Sequence, residues 1–106
     1  MSEFMNKQLF LVLKKLPFEA TLSGEKKIEY RRKSDWIKSR LIDKNYNYVK
    51  FTHGYGNDKP FIILEYKGWS LAETHQSIFS NGLIVDVAKG DYEIYLGKII
   101  DRGNIR

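Results

Sequence analysis

Between Gly24 and Arg31 the run Gly-Glu-Lys-Lys-Ile-Glu-Tyr-Arg sets a lysine, a glutamate and an arginine among other residues directly after a glycine. An ammonium at Lys26 can bind an anionic oxygen or, when partly desolvated, work as a base. The Arg31 guanidinium offers a two-pronged donor to phosphate or to a carboxylate. Glu29 is the nearest such carboxylate. It is also suited to accept from the amino edge of a base, such as cytosine N4, or to act as a general base on water or a ribose hydroxyl. Lys26 and Glu29 are therefore the candidate catalytic pair, and Lys26, Glu29 and Arg31 the candidate ligand-binding set. Regular alternation over Lys26–Arg32 separates them, with Lys26, Ile28 and Tyr30 on one face and Glu29 and Arg31 on the other. Joint action needs a bulge after Gly24, or a lysine that works from the turn.

The charge around this stretch is lopsided. Seven bases and two acids lie between Lys26 and Arg40, an excess equal to the net +5 of the whole 106-residue chain. Arg32, Lys33 and Lys38 extend the candidate ligand-binding set, because a local excess of positive charge concentrates anionic partners, of which nucleic acid is the commonest. A solvated, solubilising face is the plainer alternative. Trp36, Tyr55 and Trp69 are candidates to stack on bases. Tyr55, in a loop between two glycines, is the best placed of the three, whereas Trp36 has apolar helical companions and reads more simply as a core anchor. His53 suits proton transfer or plain hydrogen bonding.

Composition removes several classes of function. The chain has no cysteine, which excludes disulfides, zinc–thiolate sites and thiol nucleophiles, and leaves a cytoplasmic protein as the default. Two histidines and no spaced carboxylate cluster give a metal site little support, and no phosphate-cradling glycine loop, nucleophile elbow or dinucleotide fingerprint calls for a cofactor. The longest apolar runs, Leu9–Leu13 and Phe61–Leu64, are far too short to span a membrane, and the first fifteen residues lack the features of a signal peptide. Met5 can serve as an initiator, which would make Met1–Phe4 an added leader.

The elements that must position these residues follow from periodicity. Gln8–Lys14 reads as a largely buried strand, central in its sheet, and Pro17 starts a helix of two turns that ends at Gly24. A strand over Lys26–Arg32 follows, then a short helix capped by Ser34 or Asp35 and anchored by Trp36. Tyr48–Thr52 and Phe61–Tyr66 form a hairpin with a wide loop, and Gly68–Ser70 turns the chain. Leu71–Asn81 is a loop or a short helix. Leu83–Val87 and Tyr92–Ile100 form a second hairpin through Ala-Lys-Gly-Asp, and Asp101–Arg106 frays. The expectation is one α+β domain over residues 1–106, with its core in about 8–100. Five or six short strands would close into a small barrel beside two or three short helices.

The stretch Gly24-Glu25-Lys26-Lys27-Ile28-Glu29-Tyr30-Arg31 resembles the G-x-K-x-x-E-x-R signature of ASCH domains, which belong to the PUA-like group of small β-barrels. Phe18-Glu19-Ala20 before the glycine, Trp36 after the arginine, the Gly54-Tyr55 turn and Tyr95-Leu96-Gly97-Lys98-Ile99 resemble family features in the usual order, so the likeness spans roughly Leu9 to Ile100. It implies a barrel with an adjoining cleft and an RNA-related role, as a nucleic-acid binder or a ribonuclease. One branch removes the acyl group from acylated cytidine, but that branch carries a threonine nucleophile where this chain has Glu29. Three expectations follow. The first is a module that binds RNA or a nucleotide through a basic cleft. The second is a small hydrolase, a ribonuclease or modified-nucleoside amidohydrolase, using Lys26 and Glu29. The third is a protein-interaction module with a basic face.

Overall fold

Alternation in the first strand decides what becomes core. β1 (Gln8–Leu13) buries Leu9, Leu11 and Leu13 and turns Phe10 and Val12 the other way. The structure, a computed structural model, describes residues 7–105, and Met1–Phe4 lie outside them. After β1 come α1 (Lys15–Leu22), β2 (Ile28–Arg31), α2 (Asp35–Leu41), β3 (Tyr48–His53), β4 (Phe61–Leu71), β5 (His75–Ile78), β6 (Ile84–Val87) and β7 (Tyr92–Gly103). The architecture is α+β, with two helices and seven described strands, more strands than the five or six expected.

Five strands form one sheet in the order β1-β3-β4-β7-β2, and β5 and β6 form a separate ribbon. β1 runs parallel to β3, and every other pairing is antiparallel. The long β4–β7 pairing carries register shifts at Ile63/Leu64, Leu64/Tyr66 and Tyr66/Trp69, and such irregularities bend a sheet. The sheet curls into a half-barrel, leaving its two edge strands, β1 and β2, without a backbone ladder between them. A Cβ on Gly97 would stand 2.7 Å from the Cβ of Glu65, so this point of the β4–β7 crossing admits only glycine without displacement. Leu9, Leu11, Phe18, Ile37, Leu41, Val49, Phe51, Ile62 and Ile94 form one core, to which both helices contribute.

Several expectations are corrected. β1 is an edge strand, not a central one: its unbroken apolar run suggested burial on both faces, but Phe10 and Val12 face away from the core. Gly68–Ser70 is no turn, because Gly68, at φ +103°, sits inside β4 in the irregular stretch of its pairing with β7. The Leu71–Asn81 segment, expected to be a loop or a short helix, is irregular at Ala72–Thr74 and Phe79–Asn81 but supplies β5 between them, which pairs with β6 where β7 was expected to. The Ala88–Asp91 turn, closed by the Asp91 carboxylate on the Ala88 N–H at 2.9 Å, instead carries the chain from the ribbon back into the sheet. The tail does not fray at Asp101, since Asp101, Arg102 and Gly103 continue β7 opposite Ile63, Ile62 and Phe61.

The ribbon is held at its tip. The Glu25 carboxylate accepts from the Ser80 N–H at 3.0 Å and from its hydroxyl at 2.7 Å, and the Asn81 amide donates to the Leu16 carbonyl at 3.0 Å. No helix among the described residues is long and apolar enough to cross a membrane.

Candidate functional site

The end of α1 sets the geometry. Gly24 takes the left-handed conformation, φ +88°, that closes a helix, and its N–H bonds the Thr21 carbonyl at 3.1 Å. Two residues on, the Lys26 N–H returns to the Ala20 carbonyl at 3.0 Å, so Lys26 belongs to the helix exit and regular strand structure begins only at Ile28. The expected separation of Lys26 from Glu29 is therefore overturned: the lysine works from the turn, outside the alternation of β2.

Lys26 Nζ donates to Glu29 Oε1 in a close ion pair, and Arg31 Nε donates to Glu29 Oε2 at 2.7 Å. A terminal Arg31 nitrogen then donates to the Val12 carbonyl of β1 at 2.9 Å. Lys26 is 3% exposed and Glu29 4%. The three formal charges sum to +1, and the cation nearest the solvent is Arg31. Arg31 bridges β2 to β1, joining by a side chain the two edges that no backbone hydrogen bonds connect.

Beside this bridge lies a cavity of about 430 Å³, walled by Phe10 and Val12 of β1, Arg31, Trp36 and Arg40 of α2, and Tyr55. The Ser34 side chain caps α2 by accepting from the Ile37 N–H at 3.2 Å, while Ile37 and Leu41 point into the core. This leaves Trp36 on the opposite side, 51% exposed, with the Arg40 guanidinium 4.9 Å from its ring centroid. The expected role of Trp36 as core anchor is thus corrected; its apolar helical companions do the anchoring. Tyr46 donates its phenol to the Arg40 carbonyl and fixes the far end of α2. Burial pushes the Tyr46 phenol above its ordinary value, an effect partly offset by the Arg40 charge. Tyr55 is 82% exposed.

No carboxylate lies in the cavity wall, although the Arg31 guanidinium is already paired with Glu29 behind it, and three aromatic rings, from Phe10, Trp36 and Tyr55, stand around the space. An anion with a flat, unsaturated body suits that lining, because cations attract the charge and ring faces accept the plane. Among the other candidates, Arg32 and Lys33 line a different cavity that also holds Asp86 and Asp91, and Lys38 is exposed on α2. Trp69 packs against the core, edge-on to Tyr92 with ring centroids 5.3 Å apart. The His53 ring lies against Phe18, with centroids 5.7 Å apart. Sequence reasoning missed Phe10 and the Val12 carbonyl, although strict alternation from Leu9, Leu11 and Leu13 would have put both residues outside the core. Among the described residues no three histidine or acidic side chains cluster as a metal site.

Comparison with family models, with curated proteins and with solved structures found no match.

Proposed function

We propose that this chain is an ASCH-type domain of the PUA-like group that binds RNA or a nucleotide in the opening between β1 and β2. The observation that carries the reading is the cavity wall: Arg40, with no carboxylate in that wall, and Arg31, whose Glu29 partner is buried behind it, stand next to the exposed rings of Trp36 and Tyr55. Basic grooves with stacking platforms are how single-stranded nucleic acid is commonly held. In this reading Lys26 and Glu29 hold Arg31 in place, since both are buried behind it and engaged with one another or with Arg31. Arg32, Lys33 and Lys38 add to the long-range field that draws an anion in.

Titration of a short single-stranded RNA, followed by the fluorescence of the exposed Trp36, tests the reading. Affinity should fall as salt rises, with a log–log slope of about −0.7 for each phosphate neutralised. Trp36→Ala should cost about 1–3 kcal/mol of binding, and Arg40→Gln should both weaken binding and flatten the salt slope. Binding that is absent, or indifferent to salt and to both substitutions, would reject the proposal. Mass analysis of the recovered RNA separates binding from hydrolysis: intact RNA agrees with a binding module, and cleavage that is lost in a Glu29→Gln variant shown by circular dichroism to be folded would assign the hydrolase instead.

A further inference from the structure

The lined surface does not end at Tyr55. On its other side lies a second cavity, of about 480 Å³, formed by the end of β1, by Lys14 and Lys15 at the start of α1, and by His53 and Gly54 at the end of β3. Val12 and Tyr55 wall both cavities, so the two are neighbours sharing one partition. Each is large enough for a small organic ligand. Lys14 and Lys15 are exposed, and no carboxylate stands in this second wall either. Gly54 and Gly56, at φ +98° and +124°, flank Tyr55 and leave its ring standing free between the two chambers.

Along this surface the chemistry repeats: two guanidinium groups beside a tryptophan, then an exposed tyrosine, then two ammonium groups. A nucleic-acid strand has the same repeat, a phosphate and a base in each unit, whereas a free nucleotide has it once. We propose that the cavity bounded by Lys14, Lys15 and His53 is a second nucleotide subsite, so that the groove holds two consecutive nucleotides of a single strand with the Tyr55 ring at the step between them. This rests on the reading of the first cavity as a nucleotide site. Its own content is the length of the ligand and the role of two lysines outside the Gly24–Arg31 signature.

The experiment compares a nucleoside 5′-monophosphate with the matching 5′-phosphorylated dinucleotide and trinucleotide, each titrated into the intact chain by calorimetry. The dinucleotide should bind about tenfold more tightly than the mononucleotide, and the trinucleotide no more than about twofold more tightly again, since stacking and charge are gained once and then run out. In the Lys14→Gln/Lys15→Gln double variant the gain from the second nucleotide should vanish. Equal affinity for mononucleotide and dinucleotide in the unaltered chain overturns the inference, and so does a lysine variant that weakens both ligands alike. The length series on the unaltered chain decides the matter even where the double variant folds poorly. Mononucleotide binding with no gain in length removes the second subsite and leaves the first reading standing. Absence of binding by all three ligands removes both.

Discussion

Arg31 depends on a carboxylate that the solvent hardly reaches. Glu29 neutralises one of two neighbouring cations, and a buried charge that loses its partner is far more costly than a pair removed whole. Glu29→Gln is expected to destabilise the fold by about 3–5 kcal/mol, measured by urea denaturation. The Lys26→Met/Glu29→Leu double variant should be less destabilised than Glu29→Gln alone, because it deletes the buried pair and leaves Arg31 its Val12 carbonyl and some solvent. A double variant at least as unstable as Glu29→Gln would contradict the account of the triad. The contact of Lys26 with Glu29 was not legible in the sequence, since residue alternation is a rule for strands and Lys26 precedes its strand. The Glu29–Arg31 pairing was legible, being a matter of two positions inside β2.

At the scale of elements, α2 is the piece that presents Trp36 and Arg40, and Tyr46 pins its end. Tyr46 in turn meets Tyr66 edge-on, with ring centroids 5.3 Å apart. Burial pushes both phenols above the ordinary tyrosine value, and for Tyr66 the neighbouring Tyr46 adds to the effect. A folded value above the unfolded one means stability that is complete below the unfolded value of about 10 and lost as pH rises through the folded one. The melting temperature should therefore drop above about pH 10. Tyr66→Phe should make that drop shallower while leaving neutral stability equal or higher, because the Tyr66 hydroxyl has no hydrogen-bond partner among the described residues. An unchanged alkaline limb in the variant would exclude Tyr66 as a source. Elements with local signals were readable in advance: α1 with its terminal glycine, α2 with its serine cap, and the β3–β4 hairpin. The β5–β6 ribbon was not, because His75-Gln76-Ser77-Ile78 has little apolar alternation and its strand character comes from pairing with β6.

For the molecule as a whole, the expected barrel is an open one. β3, β4 and β7 each pair on both sides, with the longest ladder between β4 and β7, while β1 and β2 each pair on a single side and meet through Arg31. Amide hydrogen exchange should reflect this, with the slowest amides in β3, the core of β4 and the partnered part of β7, and faster exchange at the outward-facing amides of β1. Uniform protection across the five strands would argue for a closed sheet. The α+β class and small-barrel character could be seen from strand spacing. Which strands stand at the edges could not, because the apolar residues of β1 that serve the cavity look in sequence like residues that serve the core.

The strand order also divides labour along the chain. Both banks of the first cavity, the Arg31 bridge beside it, and the α2 residues that wall it come from one unbroken stretch, Phe10 to Arg40, with Tyr55 as that cavity's single distant addition. From Phe61 onward, β4 and β7 form the frame against which that stretch folds. Selection or design can therefore rewrite the lining of the opening by exchanging one contiguous cassette, provided Leu9, Leu11, Ile37 and Leu41 keep fitting the frame. Specificity and foldability are thereby made separable within a chain of this size.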